Sequence, residues 1–300
     1  MNSIFALVLG FAPGIFWLWF IYTRNRYHRE PRSLVIRVFA LGMVSTILVP
    51  IFELPLLFFT KIHLSVLENI SEGSIKDLAV LAFLIVGPAE ELSKFLIIRA
   101  IVFKSPYFSE TSDGFIYSAA AALGFASIEN VTYAIQFGWP IMFFRGPIST
   151  LVHVVIGGLW GYGLIRYKLK GRKALGLLLI LLASSAVFHG LFDFLLFTQA
   201  KSGSRYWLLA YALFAGGLVI YWWMLQRSQK TSAQSNKVTA ILRHCLHCNS
   251  YVNSNSRFCP QCGANLLSAA EIPTLICANC QNPIARDSRY CANCGYQLMK

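Results

Sequence analysis

Apolar residues run along this chain in long blocks, unlike the narrow stripes of a soluble helix or the alternation of a half-buried strand. Seven blocks stand out: residues 4–22, 34–60, 78–103, 113–137, 147–167, 174–199 and 206–225. Each is close to or above the roughly 20 helical residues needed to cross a hydrocarbon core of ~30 Å. Lipid offers backbone polar groups no water, so each block predicts a helix. Aromatic belts mark the ends, with Trp17, Trp19 and Tyr22 in the first block and Tyr221, Trp222 and Trp223 in the last. Past residue 225 the pattern changes: residues 226–240 (QRSQKTSAQSNKVTA) read as a polar linker, and two short cysteine-bearing modules follow at 241–265 and 273–297. The predicted fold class is an all-α polytopic membrane protein of about seven transmembrane helices, carrying two small β-rich modules.

Composition agrees with this pattern and excludes an ordinary soluble enzyme. Apolar residues make up 56% of the chain and charged residues 13%, against roughly a quarter charged in soluble domains. The net charge of +13 by itself suggests an acidic partner such as nucleic acid. Its distribution points instead to topology. Arg24, Arg26, Arg29 and Arg32 follow the first block, Arg99 and Lys104 close the third, and Arg166, Lys168, Lys170, Arg172 and Lys173 separate the fifth from the sixth. The alternate loops hold Lys61 and Lys76, then Arg145 alone, then Lys201 and Arg205. The positive-inside rule therefore predicts a multi-pass cell-membrane protein with its N-terminus outside and its tail in the cytoplasm. Only Met1, Asn2 and Ser3 precede the first block, so it lacks a basic n-region and reads as a retained helix.

All eight cysteines lie in the tail. Cys245, Cys248, Cys259 and Cys262 form a CxxC pair of pairs that recurs 32 residues later as Cys277, Cys280, Cys291 and Cys294. Matching neighbours, Phe258 with Tyr290 and Gly263 with Gly295, mark a true repeat. Four thiolates make a closed tetrahedral set, which suits structural zinc and leaves no open position for chemistry. The spacing thus predicts two zinc ribbons holding one Zn²⁺ each, with their thiols kept reduced in the cytosol. From residue 226 onward the tail has 8 Lys/Arg and 2 Asp/Glu. Two four-thiolate zinc centres would offset most of that positive charge. A cytoplasmic protein partner is therefore the favoured reading of the ribbons over nucleic acid.

Ionisable residues within spanning helices are costly and mark candidate functional sites. The third block carries Glu90, Glu91 and Lys94 after Gly87 and Pro88; the fourth carries Glu129 and Asn130, the fifth His153, and the sixth His189 and Asp193. Lys94 is three and four residues from the two glutamates, within reach of both. His189 and Asp193 share a helix face in the same way. Pro88 removes a backbone donor just before the acidic pair and so favours a bend there. At about 1.5 Å per residue, Glu90, Glu129, His153 and His189 lie roughly 18, 12, 9 and 15 Å from the outer ends of their helices. Antiparallel helices thus bring them to one zone, which predicts a single shared site. Glu53, between Pro50 and Pro55, has no assigned role.

These residues also carry a family resemblance. The EExxK stretch (Glu90, Glu91, Lys94), the FxxxEN stretch (Phe125, Glu129, Asn130) and the HxxxD stretch (His189, Asp193) resemble the PrsW family of intramembrane proteases, as do Asp113-Gly114 and the single His153. The resemblance covers residues 5–225 and gives the domain division: a protease domain at 1–225, a linker at 226–240 and two ribbons. It implies hydrolysis of a peptide bond in a membrane-anchored protein, typically site-1 cleavage of an anti-sigma factor. On this reading Glu90 or Glu91 is the general base on water, and Glu129 and Asn130 position the water or polarise the carbonyl. His153 and His189 serve the oxyanion or leaving amine, and Asp193 holds the His189 tautomer. A catalytic metal on the same residues is the less favoured form of the mechanism. Two other classes compete: a proton- or ion-coupled transporter, which intramembrane carboxylates also build, and an inactive receptor or scaffold signalling through its ribbons.

Overall fold

The computed structural model describes residues 3–24, 30–62, 66, 70–203, 205–245, 247–248, 251–253, 262, 275–277, 279–280, 283–284 and 297. The loop arginines Arg26 and Arg29, and the cysteines Cys259, Cys291 and Cys294, lie outside these residues. The chain forms two compact units, Met1–Ser232 and Ala233–Lys300.

The first unit is helical. Helix α1 spans Ser3–Arg24, α2 Arg32–Ser45 and α3 Val49–Thr60, the last two joined by a 3₁₀ turn at Thr46–Leu48. Helix α4 (Ile75–Val80) starts at Ser74, whose side chain forms a reciprocal capping box with Asp77. It passes through a π-helical segment, Leu81–Val86, into α5 (Gly87–Ile101). Then come α6 (Thr111–Phe137), a second π segment at Arg145–Ser149, α7 (Thr150–Lys170), α8 (Leu175–Ser202) and α9 (Tyr206–Ile241). Helix α9 continues through residues 226–240, read from sequence as a linker.

Among the described residues, four helical stretches are long and apolar enough to cross a membrane: Ser3–Arg24, Arg32–Thr60, Trp139–Ser202 and Tyr206–Lys230. The outside of the bundle is correspondingly apolar, with Phe58, Phe59, Phe143 and Val219 each more than two-thirds exposed. Helices α5 and α6 stand outside that set for a physical reason. α6 packs along α1, α2 and α7, and its residues from Thr111 to Ser127 are all buried. A helix enclosed by protein has little contact with lipid and can carry polar residues. α5 packs on α8, and α8 on α7, so the helices bearing the ionisable residues adjoin one another. Trp160, Tyr117, Phe108, Ile98 and Leu164 are sealed in the core beneath them.

The second unit shows two short antiparallel pairs: β1 (Leu242–His244) with β2 (Tyr251–Asn253), and β3 (Leu275–Ile276) with β4 (Pro283–Ile284). Each pair brackets one CxxC sequence in the chain.

Candidate functional site

Two features of α5 set the site. The π segment before it ends at Gly87 and Pro88, where proline cannot donate to the preceding turn. At the same level α5 and α8 touch through their backbones. A Cβ on Gly190 would lie 2.6 Å from the Ala82 carbonyl oxygen, and one on Gly87 2.7 Å from that of Ala186. Only glycine permits this approach, and it brings Glu91 against His189.

Lys94 is the hub. Its Nζ donates to Glu90 Oε2 (3.1 Å) and Glu91 Oε1 (2.8 Å), lies 3.1 Å from His153 Nδ1, and sits 4.0 Å above the Phe125 ring. An ammonium has donors only, so His153 Nδ1 accepts and its proton is on Nε2. That Nε2 is 2.8 Å from Glu129 Oε2. His189 Nδ1 donates to Glu91 Oε1 at 2.9 Å, which turns Nε2 toward Asp193 Oδ2 (3.5 Å) and Glu90 Oε2 (3.6 Å). The two imidazoles meet edge to face, 5.2 Å between centroids.

The two adjacent glutamates differ in their surroundings. Glu91 is fully buried, and both its oxygens are engaged: Oε1 by Lys94 and His189, Oε2 by Trp160 Nε1 at 2.8 Å. Glu90 meets Lys94 through Oε2 alone, and no donor among the described residues contacts its Oε1. Its side chain keeps 10% exposure, as Asp193 keeps 18% and Glu129 22%. These three form the open rim of the cluster, while Glu91 and Lys94 form its floor.

The sequence-predicted residues Glu90, Glu91, Lys94, Glu129, His153, His189 and Asp193 thus come together. Two details differ from expectation. Glu91, not Asp193, meets the His189 Nδ1 that fixes its tautomer. Asn130 is turned inward, its Nδ2 donating to Thr150 Oγ1 (2.9 Å) and its Oδ1 accepting from Arg145 Nε (3.1 Å), so both ends of its amide are occupied by protein. Asp113 lies apart from the cluster, accepting from the backbone N–H groups of Ser109 and Glu110 at 2.8 and 2.6 Å. Sequence reasoning missed two contributors. Trp160 reads as core packing, and Arg145 as a loop charge, yet Arg145 Nη2 lies 2.9 Å from Glu129 Oε1.

The donor set also fits a metal. Glu90, His153 and His189 place ligand atoms within 4.8 Å of one another, all buried. Each histidine has a carboxylate behind its far nitrogen, an arrangement that aims imidazoles at metals. Four carboxylates (Glu90, Glu91, Glu129, Asp193) face two permanent cations (Lys94, Arg145). One divalent ion or two imidazolium protons would balance the surplus. Lys94 shares two of the same donors, so ion and ammonium compete for them. In the tail, Cys245, Cys248 and Cys262 bring their sulfurs within 4.8 Å of one another, with 3.6 Å between Cys245 and Cys262.

Comparison with known proteins agrees with this geometry. Residues 30–239 match the family model described as PrsW family intramembrane metalloprotease, and residues 245–295 match the double zinc ribbon. Protease PrsW of Bacillus subtilis (strain 168) is 31% identical over 228 residues, spanning 75% of this chain and 95% of that protein. Protease PrsW of Clostridioides difficile (strain 630) is 31% identical over 204 residues, 65% of this chain and 79% of that one. Protease PrsW of Geobacillus kaustophilus (strain HTA426) is 27% identical over 221 residues, 74% and 89% of the two chains. No solved structure matches. With its buried Glu-Lys-His cluster and cysteine-paired tail, the chain belongs to the PrsW family of intramembrane metalloproteases, as a membrane-embedded peptidase with a double zinc ribbon.

Proposed function

We propose that the protein cleaves a peptide bond of a membrane-anchored protein, of the regulatory anti-sigma-factor kind, and that Glu90 is the carboxylate that takes the proton from the attacking water. One observation carries the assignment: Glu91 has both oxygens satisfied by buried donors, whereas Glu90 keeps an oxygen open at the rim. A base must reach the proton it removes. As Glu90 takes that proton, the hydroxyl adds to the scissile carbonyl carbon. Lys94 and the histidines offset the negative charge developing on the oxygen. The proton then passes from Glu90 to the leaving nitrogen as the C–N bond breaks. Glu91 and Trp160 serve as anchors, fixing His189 and Lys94.

The convergence of Glu90, His153 and His189 supports a second form of the same reaction, in which these three residues hold a divalent ion. When bound, such an ion polarises the carbonyl and acidifies a water. Glu129 and Glu91 then orient the two imidazoles through their far nitrogens. The tail supports two structural zinc ions on Cys245, Cys248, Cys259 and Cys262, and on Cys277, Cys280, Cys291 and Cys294, in β-rich ribbons at 241–265 and 273–297.

We read the helices as seven crossings within a protease domain at 1–225, with the N-terminus outside and the ribbons in the cytoplasm. The excess of Lys and Arg in alternate loops supports this orientation, and it leaves the ribbons available to a cytoplasmic protein. The test is cleavage of a single-span substrate by the full chain in detergent, with and without chelator. Wild type cuts and E90Q does not; sensitivity to chelator separates the two forms. An E90Q variant that cuts at the wild-type rate would refute the assignment.

A further inference from the structure

We infer that Arg145 is a positioning residue for the peptidase reaction: its guanidinium fixes the Glu129 carboxylate, which in turn holds the His153 imidazole. The inference rests on reading Glu90, His153 and His189 as the reaction centre. Arg145 opens the π segment ahead of α7 and is buried. Its Cζ lies over the Tyr133 ring, 3.6 Å from the centroid. Its Nε donates to Asn130 Oδ1 and its Nη2 sits 2.9 Å from Glu129 Oε1. A small circuit closes behind it: Asn130 Nδ2 donates to Thr150 Oγ1, and Thr150 Oγ1 donates to the Arg145 carbonyl at 3.0 Å. The side chain is thus held at Nε and across the Tyr133 ring before Nη2 meets Glu129.

Energetics argue against a purely structural role. Apolar residues of similar volume join helices as well as a buried ion pair or better, so a guanidinium is an expensive joint. What it adds is geometry, because a planar fork reaches Asn130 and Glu129 together, which a lysine ammonium cannot. The geometry is used one residue further on. The two Glu129 oxygens are divided, Oε1 toward Arg145 and Oε2 toward His153 Nε2. With Oε1 paired to Arg145, Oε2 stays beside His153 Nε2, which favours the proton there and leaves Nδ1 to accept from Lys94. A carboxylate directly behind a metal-ligating imidazole is worth about 10–100-fold in metal affinity or activity, and Arg145 acts through that carboxylate.

The test uses the full chain in detergent, labelled with ¹⁵N-histidine, and compares wild type, R145Q and R145K. The His153 signal is identified by its loss in H153N. Wild type should show one His153 tautomer with the proton on Nε2. R145Q should show a mixture, with kcat lowered about 10–100-fold and KM nearly unchanged. R145K keeps a charge opposite Glu129; it should lie between the two, and it carries the test if R145Q fails to fold. A single unaltered tautomer in R145K, together with wild-type kcat, would overturn the inference. The tautomer is read without turnover. An active E90Q would therefore sink the reaction-centre reading, whereas an unmoved His153 signal would sink this one.

Discussion

The sharpest prediction contrasts two neighbouring substitutions, E90Q and E91Q. Glu91 receives three buried donors, from Lys94 (2.8 Å), His189 (2.9 Å) and Trp160 (2.8 Å). A glutamine there offers one acceptor and one NH₂ group, so whichever way the amide turns, a donor meets a donor. An unsatisfied buried donor costs about 1–3 kcal/mol, and Lys94 loses one of its two counter-charges. Breaking a buried pair costs about 3–5 kcal/mol, reduced here because Glu90 still faces the ammonium. E91Q should therefore destabilise the fold by about 3–5 kcal/mol. Glu90 has a single donor at 3.1 Å and an open second oxygen, so E90Q should cost no more than about 1–2 kcal/mol. Its effect falls on the rate, as loss of a general base lowers turnover about 10²–10⁴-fold. Tryptophan fluorescence follows unfolding in detergent, and gel analysis of a single-span substrate follows cleavage. An E91Q protein as stable as wild type would refute the division into anchor and base, as would a destabilised but active E90Q.

Three further outcomes follow from the structure. Gly190→Ala should lower cleavage by at least tenfold and lower the unfolding temperature, since its Cβ would meet the Ala82 carbonyl at 2.6 Å and part α8 from α5; a full-rate G190A would show that this approach does not set the site. Metal analysis of a variant with all eight cysteines changed to serine should remove the tail zinc; any divalent metal that remains, and that is lost on adding E90Q, belongs to the membrane cluster. Burial, reinforced by the neighbouring Asp113 carboxylate, pushes the Glu30 carboxyl up to about 8 from 4.5. The folded form thus holds a proton that the unfolded form releases, so the stability this carboxyl contributes is fully present below pH 4.5 and is lost as pH rises through about 8. The groups around it are Asp113, Glu110 and Tyr117, whose hydroxyl donates to Glu30. E30Q should flatten the dependence of unfolding temperature on pH between 5 and 8, and an unchanged slope would refute the attribution.

What the sequence made legible was whatever depends on local order. Apolar blocks locate helices because lipid forbids other backbone states, and i, i+3 and i, i+4 spacing put Lys94 within reach of both glutamates. The repeated CxxC pairs named the ribbon chemistry directly. What it hid was partner choice between helices. His189 has an obvious candidate in Asp193 four residues on, but the glycine contact between α5 and α8 delivers Glu91 to its Nδ1 instead. Arg145 was visible only as a loop cation, since nothing local to it signals that a π turn carries it back into the bundle beside Glu129. Asn130 looked free to meet substrate because Arg145 and Thr150, which occupy it, lie 15 and 20 positions away.

The π winding of Leu81–Val86 has a consequence for how this gene can drift. A π turn accommodates one residue more than the α-helix around it. Deleting one residue there lets the segment relax to ordinary winding with little net rotation, whereas deleting one of residues 87–89, in α winding, would swing everything downstream by about 100° around the axis. Glu90, Glu91 and Lys94 would turn together away from His153 and His189, although no residue of the cluster had changed. A one-residue loss is therefore absorbed before Gly87 and ruinous just after it. The six positions before Gly87 act as slack in the winding, keeping the three acting residues after it in phase.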